Sequence, residues 1–189
     1  MKTPSTKGSI MQLLVATVQE RVKRGRITRQ DLEVALTPED LQILQGPILP
    51  GSWYPVATED RLLRLLMTKE GRGSQEYLIQ CGRLGADQVI ALGIYEQLKP
   101  ENAQRLGDRF GRFLVTLAGA AHSCARWEFT GSMERFRIEV TDAADYTDPV
   151  RYAGQGFIER CVTYTTGRRV NVTSVREAPD RVIFEGRSA

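Results

Sequence analysis

Apolar residues recur at helical spacing over residues 9–24, where Ile10, Leu14, Val18 and Val22 share one stripe with Leu13 and Val15 beside it. Ser9 is placed to cap this helix and Gly25 to end it. Thr28 is placed to cap a second, shorter helix holding Leu32, Val34 and Leu36. Thr37-Pro38-Glu39-Asp40 then joins a capping hydroxyl, a first-position proline and first-turn acids, which predicts a third helix through Leu41, Ile43 and Leu44. These three short helices read as a lead-in without a core of its own. Residues 46–55 are turn-rich, yet Ile48, Leu49, Trp53 and Tyr54 need burial, so the stretch reads as a packed crossover. Thr58 is placed to cap the next helix, with Leu62, Leu63, Leu65, Leu66 and Met67 on its face. After the Gly71-Arg72-Gly73 break, Ser74 opens a longer helix to about Leu98 through Tyr77, Leu78, Cys81, Val89, Leu92 and Tyr95. Small Gly82, Gly85 and Ala86 on it permit close approach by another element. Pro100 opens a further helix to about Ala121, through Leu106, Phe110, Phe113, Leu114 and Leu117.

At Ala125 the period falls to two. Trp127 and Phe129 alternate with charges, Gly131-Ser132 turns the chain, and Phe136, Ile138 and Val140 return opposite Arg135, Arg137 and Glu139. Over 148–165 the helical spacing comes back in Val150, Ala153, Phe157, Ile158, Cys161 and Val162, and Gly167 stops it. Val170, Val172 and Val175, then Val182, Ile183 and Phe184, predict two last strands around a Pro179-Asp180 turn. The pattern predicts an α+β fold: N-terminal helices followed by a β-β-α-β-β unit, its antiparallel sheet covered by helices. It is read as a single domain over 1–189, with a helical lead-in and crossover at 9–56, helices at 57–122 and the β-β-α-β-β unit at 123–189.

The length of 189 residues, with 41% hydrophobic and 26% charged side chains, suits one ordinary core and excludes a disordered chain. No apolar run approaches the roughly 18 residues of a membrane span, and the polar start lacks a signal-peptide pattern. Cys81, Cys124 and Cys161 are odd in number and widely spaced, which fits a reduced, cytoplasmic setting. The net charge of +3 hides an asymmetry: residues 1–30 hold seven Lys and Arg against Glu20 alone. Without interleaved aromatics or a binding motif, this reads as a solvated face or a partner-steering patch rather than a nucleic-acid site.

Candidate chemistry is sparse. His122 is the one histidine, at a predicted helix end beside Cys124. It is the only candidate haem ligand, and interaction with the last helical carbonyls is the favoured reading. No metal site made by the protein alone is expected. Cys81 and Cys161 lie on apolar helix faces and read as inert buried thiols. Asp142, Asp145 and Asp148 lack the rest of a calcium loop and read as loop solvation and a cap for the helix near Pro149. No acid/base pair or activated nucleophile is assembled, so the protein is read as a non-enzyme.

Three segments, Gly46-Pro-Ile-Leu-Pro-Gly-Ser-Trp-Tyr-Pro55, Tyr77-Leu-Ile-Gln-Cys-Gly-Arg-Leu-Gly-Ala-Asp87 and Gly156-Phe-Ile-Glu-Arg160, resemble a paralogue-rich family from myxobacteria and relatives. The overall plan is similar to the haem-nitric-oxide-binding fold, the TRAPP-like trafficking subunits and the 4-vinyl-reductase-type ligand domains. That resemblance implies helices before a β-β-α-β-β sheet unit with a buried pocket or channel. His122 follows Phe113-Leu-x-x-Leu117, like the segment bearing the proximal histidine in haem-nitric-oxide domains. The Tyr-x-Ser-x-Arg element that holds haem propionates has no counterpart, since Phe136-Arg-Ile-Glu-Val140 follows instead, and the vinyl-reductase cysteine cluster is missing. The expectation is therefore a cytoplasmic regulatory or adaptor domain without a cofactor, acting through protein contacts as a homodimer or hetero-oligomer. Its expected partner surface is Ile10, Leu14, Val18, Arg21, Lys23, Arg24 and Arg26. The alternative is a small-molecule sensor for an apolar or aromatic ligand, less favourably haem or a gas, with a pocket at Trp127, Phe129, Ile138, Phe157 and Cys161.

Overall fold

The computed structural model describes residues 3–91, 101 and 109–189. Elements run β1 (Ser5–Lys7), α1 (Gly8–Lys23), α2 (Arg29–Ala35), α3 (Pro38–Gln45), β2 (Trp53–Pro55), α4 (Val56–Lys69), α5 (Gln75–Ala91), α6 (Arg109–Ala121), β3 (Arg126–Gly131), β4 (Arg135–Thr141), α7 (Asp148–Thr166), β5 (Val170–Ala178) and β6 (Arg181–Ser188). The predicted helix continuation through Leu92, Tyr95 and Leu98, and the start at Pro100 with Leu106, lie outside the described residues.

The capping chemistry at Thr28 and Thr37 closes as reciprocal boxes with Asp31 and Asp40. Other ends differ from expectation. Helix α1 begins at Gly8, one residue before Ser9, because β1 leads directly into it. Helix α4 begins at Val56, so Thr58 sits inside its first turn and donates instead to buried Asp40 Oδ1 at 2.6 Å. Helix α7 begins at Asp148 after Thr147, whose hydroxyl donates to Asp60 Oδ1 at 2.6 Å and caps nothing.

The lead-in closes its core with α4. Met11, Val15 and Val18 of α1 pack with Ile27, Leu36 and Leu44 and with Leu62, Leu65 and Leu66. Beneath it, β1 and β2 form a two-stranded antiparallel ladder, Thr6 opposite Tyr54. Both strands lie in segments that carry no period-two signal.

The β-β-α-β-β unit is as the pattern predicts. Strands pair antiparallel in the order β3-β4-β6-β5, with Phe129 opposite Ile138 and Ile138 opposite Phe184. The hairpin turns at Gly131, whose φ of 98° suits glycine, and α7 ends on Gly167 at φ 67°. The inner face of the sheet joins Phe136, Ile138, Val140, Val172, Val182 and Phe184 to Ile158, Cys161 and Val162 of α7 in a second core. Leu14 and Tyr77, both half-buried, pack against both cores and tie them together.

Candidate functional site

His122 follows the last turn of α6, and its backbone N–H donates to Ala118 O at 3.0 Å, as a helix end requires. Its ring does not return to the helix carbonyls, contrary to the sequence reading. Nε2 lies 3.2 Å from Oε2 and 3.5 Å from Oε1 of Glu59, on the first turn of α4. Both residues are buried, with 8% and 3% exposure. Glu59 shares an apolar stripe with Leu62, Leu63 and Leu66 by helical spacing, which is why the packing of α4 draws a carboxylate inward.

Tyr146 lies in the loop before α7 and packs edge-on to the His122 ring, with centroids 5.3 Å apart. Its other side meets Trp127 of β3, also edge-on at 5.3 Å, and Trp127 in turn stacks on Phe184. Space for the Tyr146 hydroxyl exists because residue 154 is glycine: a Cβ there would stand 2.3 Å from that oxygen. Complete burial, followed by the Glu59 charge, pushes the phenol pKa far upward, so it remains a proton donor.

The N-terminus reaches the same place. Thr6 of β1 bridges to His122 as an isolated antiparallel contact, and Ser123 N–H donates to Ser5 O at 2.8 Å. Around the pair, Thr6 Oγ1 and Trp127 Nε1 are buried and lack a hydrogen-bond partner among the described residues. The site thus combines a buried carboxylate–imidazole pair, a phenol whose hydroxyl donates to Val150 O at 3.5 Å, and two unsatisfied donor groups, within an aromatic wall. It contains no activated nucleophile: burial raises the Cys124 thiol to about 11 and Cys161 to about 12, and raises Cys81 as well.

The residues named from sequence are distributed as follows. Ile138 and Cys161 are fully buried in the sheet core, where Trp127, Phe129 and Phe157 pack half-buried against it. Only Trp127 of these five reaches the histidine through Tyr146. On α1, Val18 is fully buried, Ile10 and Leu14 are half-buried, and the stripe faces the helical core. Its basic end is largely paired: Arg21 and Arg26 approach Glu70 Oε2 at 3.2 and 3.1 Å, and Arg24 pairs with Glu20 at 2.6 Å, leaving Lys23 exposed. Asp148 pairs with Arg151 and Arg176 rather than capping its helix. Among the described residues no group of three His, Cys, Asp or Glu is arranged to hold a metal, and no helix is long and apolar enough to cross a membrane. Glu59, Tyr146 and Thr6 were not anticipated. A carboxylate at an apolar helical position of α4 was the one available signal, and the pattern assigned that turn to capping.

No family model matches the chain, and no curated protein matches it. Solved structures do. An H-NOX mutant from T. tengcongensis aligns with 96% of this chain and 97% of its own at 13% identity and TM-score 0.58. An Fe(II) unliganded H-NOX mutant from K. algicida aligns over 97% and 96% at 10% identity and TM-score 0.60. A structure concerned with haem distortion in the H-NOX family aligns over 96% and 94% at 15% identity and TM-score 0.57. At these identities the likeness establishes the fold: the chain is α+β and H-NOX-like along nearly its whole length.

Proposed function

We propose that this H-NOX-fold chain is a sensory regulatory domain that registers a small ligand at the Glu59–His122–Tyr146 cluster, without haem. The observation that carries the reading is the buried polar cluster itself, with Trp127 Nε1 and Thr6 Oγ1 unsatisfied beside it. Each buried donor without a partner costs about 1–3 kcal/mol, and a buried charge pair gains little over apolar packing of the same volume. A domain selected for stability alone has no use for either. The cluster also joins β1, α4, α6 and the loop before α7, so a guest there acts on both cores.

The sensor reading also draws support from the fold, whose solved examples are H-NOX domains. The adaptor reading draws none from them, and non-enzymatic regulation is the part of that expectation retained here. Membership of a paralogue-rich myxobacterial family rests on the three segments quoted above and is part of the same proposal, as is a cytoplasmic location.

Haem is the group that the fold brings to mind, and the residues here do not fit it. Nε2 of His122 faces the Glu59 carboxylate at 3.2 Å, and the ring is closed in by Tyr146. An iron on that nitrogen would displace Glu59 and leave its charge buried and unpaired, at a cost of about 3–5 kcal/mol. The guest is instead a compact molecule with a hydrogen-bond acceptor for the orphaned donors and an apolar or aromatic body for the Trp127 and Phe184 wall.

Thermal melting with aromatic carbonyl compounds (benzaldehyde, acetophenone), beside native mass spectrometry of the purified chain, tests this. The reading expects a saturable rise in Tm or a retained mass, weakened in Trp127→Phe, which keeps the ring and removes the N–H. No retained mass and no saturable shift, or shifts equal in Trp127→Phe, would overturn it.

A further inference from the structure

Between α5, α7 and the edge strand β5 lies a polar cleft of about 230 Å³, walled by Gln75 and Ile79 of α5, Arg151 and Gln155 of α7, and Thr173 and Ser174 of β5. Its depth is set by Arg151, a guanidinium with only 6% exposure. Nε of Arg151 donates to Asp148 Oδ1 at 3.1 Å, and Nη1 donates to Ser174 O and Oγ at 2.8 and 2.7 Å. The group rests over the Tyr152 ring at 4.2 Å, and Tyr152 completes the cleft wall. Gln155 fixes the floor by donating to Val172 O and accepting from Ser174 Oγ at 2.6 Å. Every bond here uses Nε or Nη1. The Nη2 amino group of Arg151 makes no hydrogen bond among the described residues, and neither do the side chains of cleft-lining Gln75 and Thr173.

Charge is unbalanced in the same direction. Asp148 Oδ1 accepts from both Arg151 and Arg176, so one carboxylate serves two guanidiniums, while nearby Arg64 is matched by Asp60. Two turns further along α7 the sign reverses at Glu159, which shares Arg83 with Glu76 of α5. A nearly buried arginine with a free N–H edge, whose own carboxylate is shared with a second guanidinium, is a site for one negative charge and not for two.

We propose that this cleft binds a small monocarboxylate, its carboxylate on Arg151 Nη2 with Gln75 alongside, and the rest of the molecule neutral or cationic toward Glu76 and Glu159. The volume falls below the roughly 300–1,000 Å³ of drug-sized pockets, which sets the ligand at the size of an amino acid or a short organic acid. This cleft shares no lining residue with the histidine cluster and does not rest on the sensor reading.

The test is an NMR titration of the ¹⁵N-labelled full chain with sodium acetate, glycine and dianionic inorganic phosphate, each against matched sodium chloride. Acetate and glycine should give saturable shifts at the Thr173 and Ser174 amides and at Arg151 Nε–H, with chloride giving none. A Gln75→Leu variant changes only an exposed position that makes no side-chain bond, and should weaken binding about tenfold or more. Arg151→Lys, which keeps the charge and loses the forked edge, should weaken it as well. Shifts reproduced by chloride, no saturation with either carboxylate, a Gln75→Leu variant that titrates like the parent, or phosphate binding more tightly than acetate would each overturn the proposal.

Discussion

Gly82 of α5 and Gly156 of α7 lie against each other's helix backbones: a Cβ on Gly82 would stand 1.9 Å from Ala153 O, and one on Gly156 would stand 1.8 Å from Ile79 O. The two helices cross on this reciprocal contact, and α7 is thereby held over the sheet whose other edge carries Trp127. The crossing also fixes the Arg151 cleft, which takes walls from both helices.

Gly82→Ala and Gly156→Ala are therefore each expected to destabilise the fold by about 1–3 kcal/mol or more, because backbone cannot move aside as a flexible side chain can. Gly85→Ala is the internal control. Nothing lies within 4 Å of a Cβ at that position, and removing a mid-helix glycine is worth roughly 0.5–1 kcal/mol in the stabilising direction. Urea melts of the three variants check the ordering.

Close approach at α5 was legible in the sequence as a cluster of small residues, but the cluster does not tell Gly82, which needs to be small, from Gly85, which does not. The β-β-α-β-β unit was legible because alternation at Phe136, Ile138 and Val140 and the Gly131 and Gly167 stops are local signals. Strands β1 and β2 were not, since three residues are too few to show a period. The histidine site was half legible. His122 stood out as the one imidazole, but its partner Glu59 is 63 residues away and looks, in sequence, like a first-turn acid suited to the helix dipole. Asp40 was likewise read as a first-turn acid, although tertiary packing buries it completely.

That buried aspartate gives stability a specific pH dependence. Burial alone would raise the Asp40 pKa, but the bonds from Arg61 and Thr58 outweigh it and hold the carboxyl at about 2, against 3.8 when unfolded. Arg61 Nη2 donates to Oδ1 at 2.9 Å, and Thr58 donates to the same oxygen. A depressed folded pKa contributes stability that is present above the unfolded value and is lost as pH falls through the folded one. The contribution, roughly 2 kcal/mol, should be complete above pH about 4 and gone below pH about 2. Melting curves of the parent and Asp40→Asn across this window should converge at the acid end, and a constant gap would contradict the assignment.

Ile138 is 1% exposed, opposite Phe129 on one side and Phe184 on the other. Replacing it with Asp places an unpaired charge in the sheet core and should cost several kcal/mol, on the order of the 3–5 typical for uncompensated buried charges. A Tm within a degree or two of the parent would show that this face is not the core.

The Glu59–His122 pair should respond asymmetrically to substitution. Glu59→Leu or His122→Leu alone leaves a buried polar group without its partner and is expected to cost about 3–5 kcal/mol. The double Leu variant removes both groups together, so its loss should be well below the sum of the singles. A double-mutant cycle by chemical denaturation measures that coupling directly, and strictly additive losses would mean that the two groups do not interact.

The central claim is that this H-NOX fold has its histidine engaged by an internal carboxylate and serves no haem. The most direct measurement is the absorbance spectrum of the purified chain during titration with haemin, read beside His122→Ala. The account predicts a colourless protein and no one-to-one Soret species in either form; a stoichiometric Soret complex in the parent that disappears in His122→Ala would contradict it.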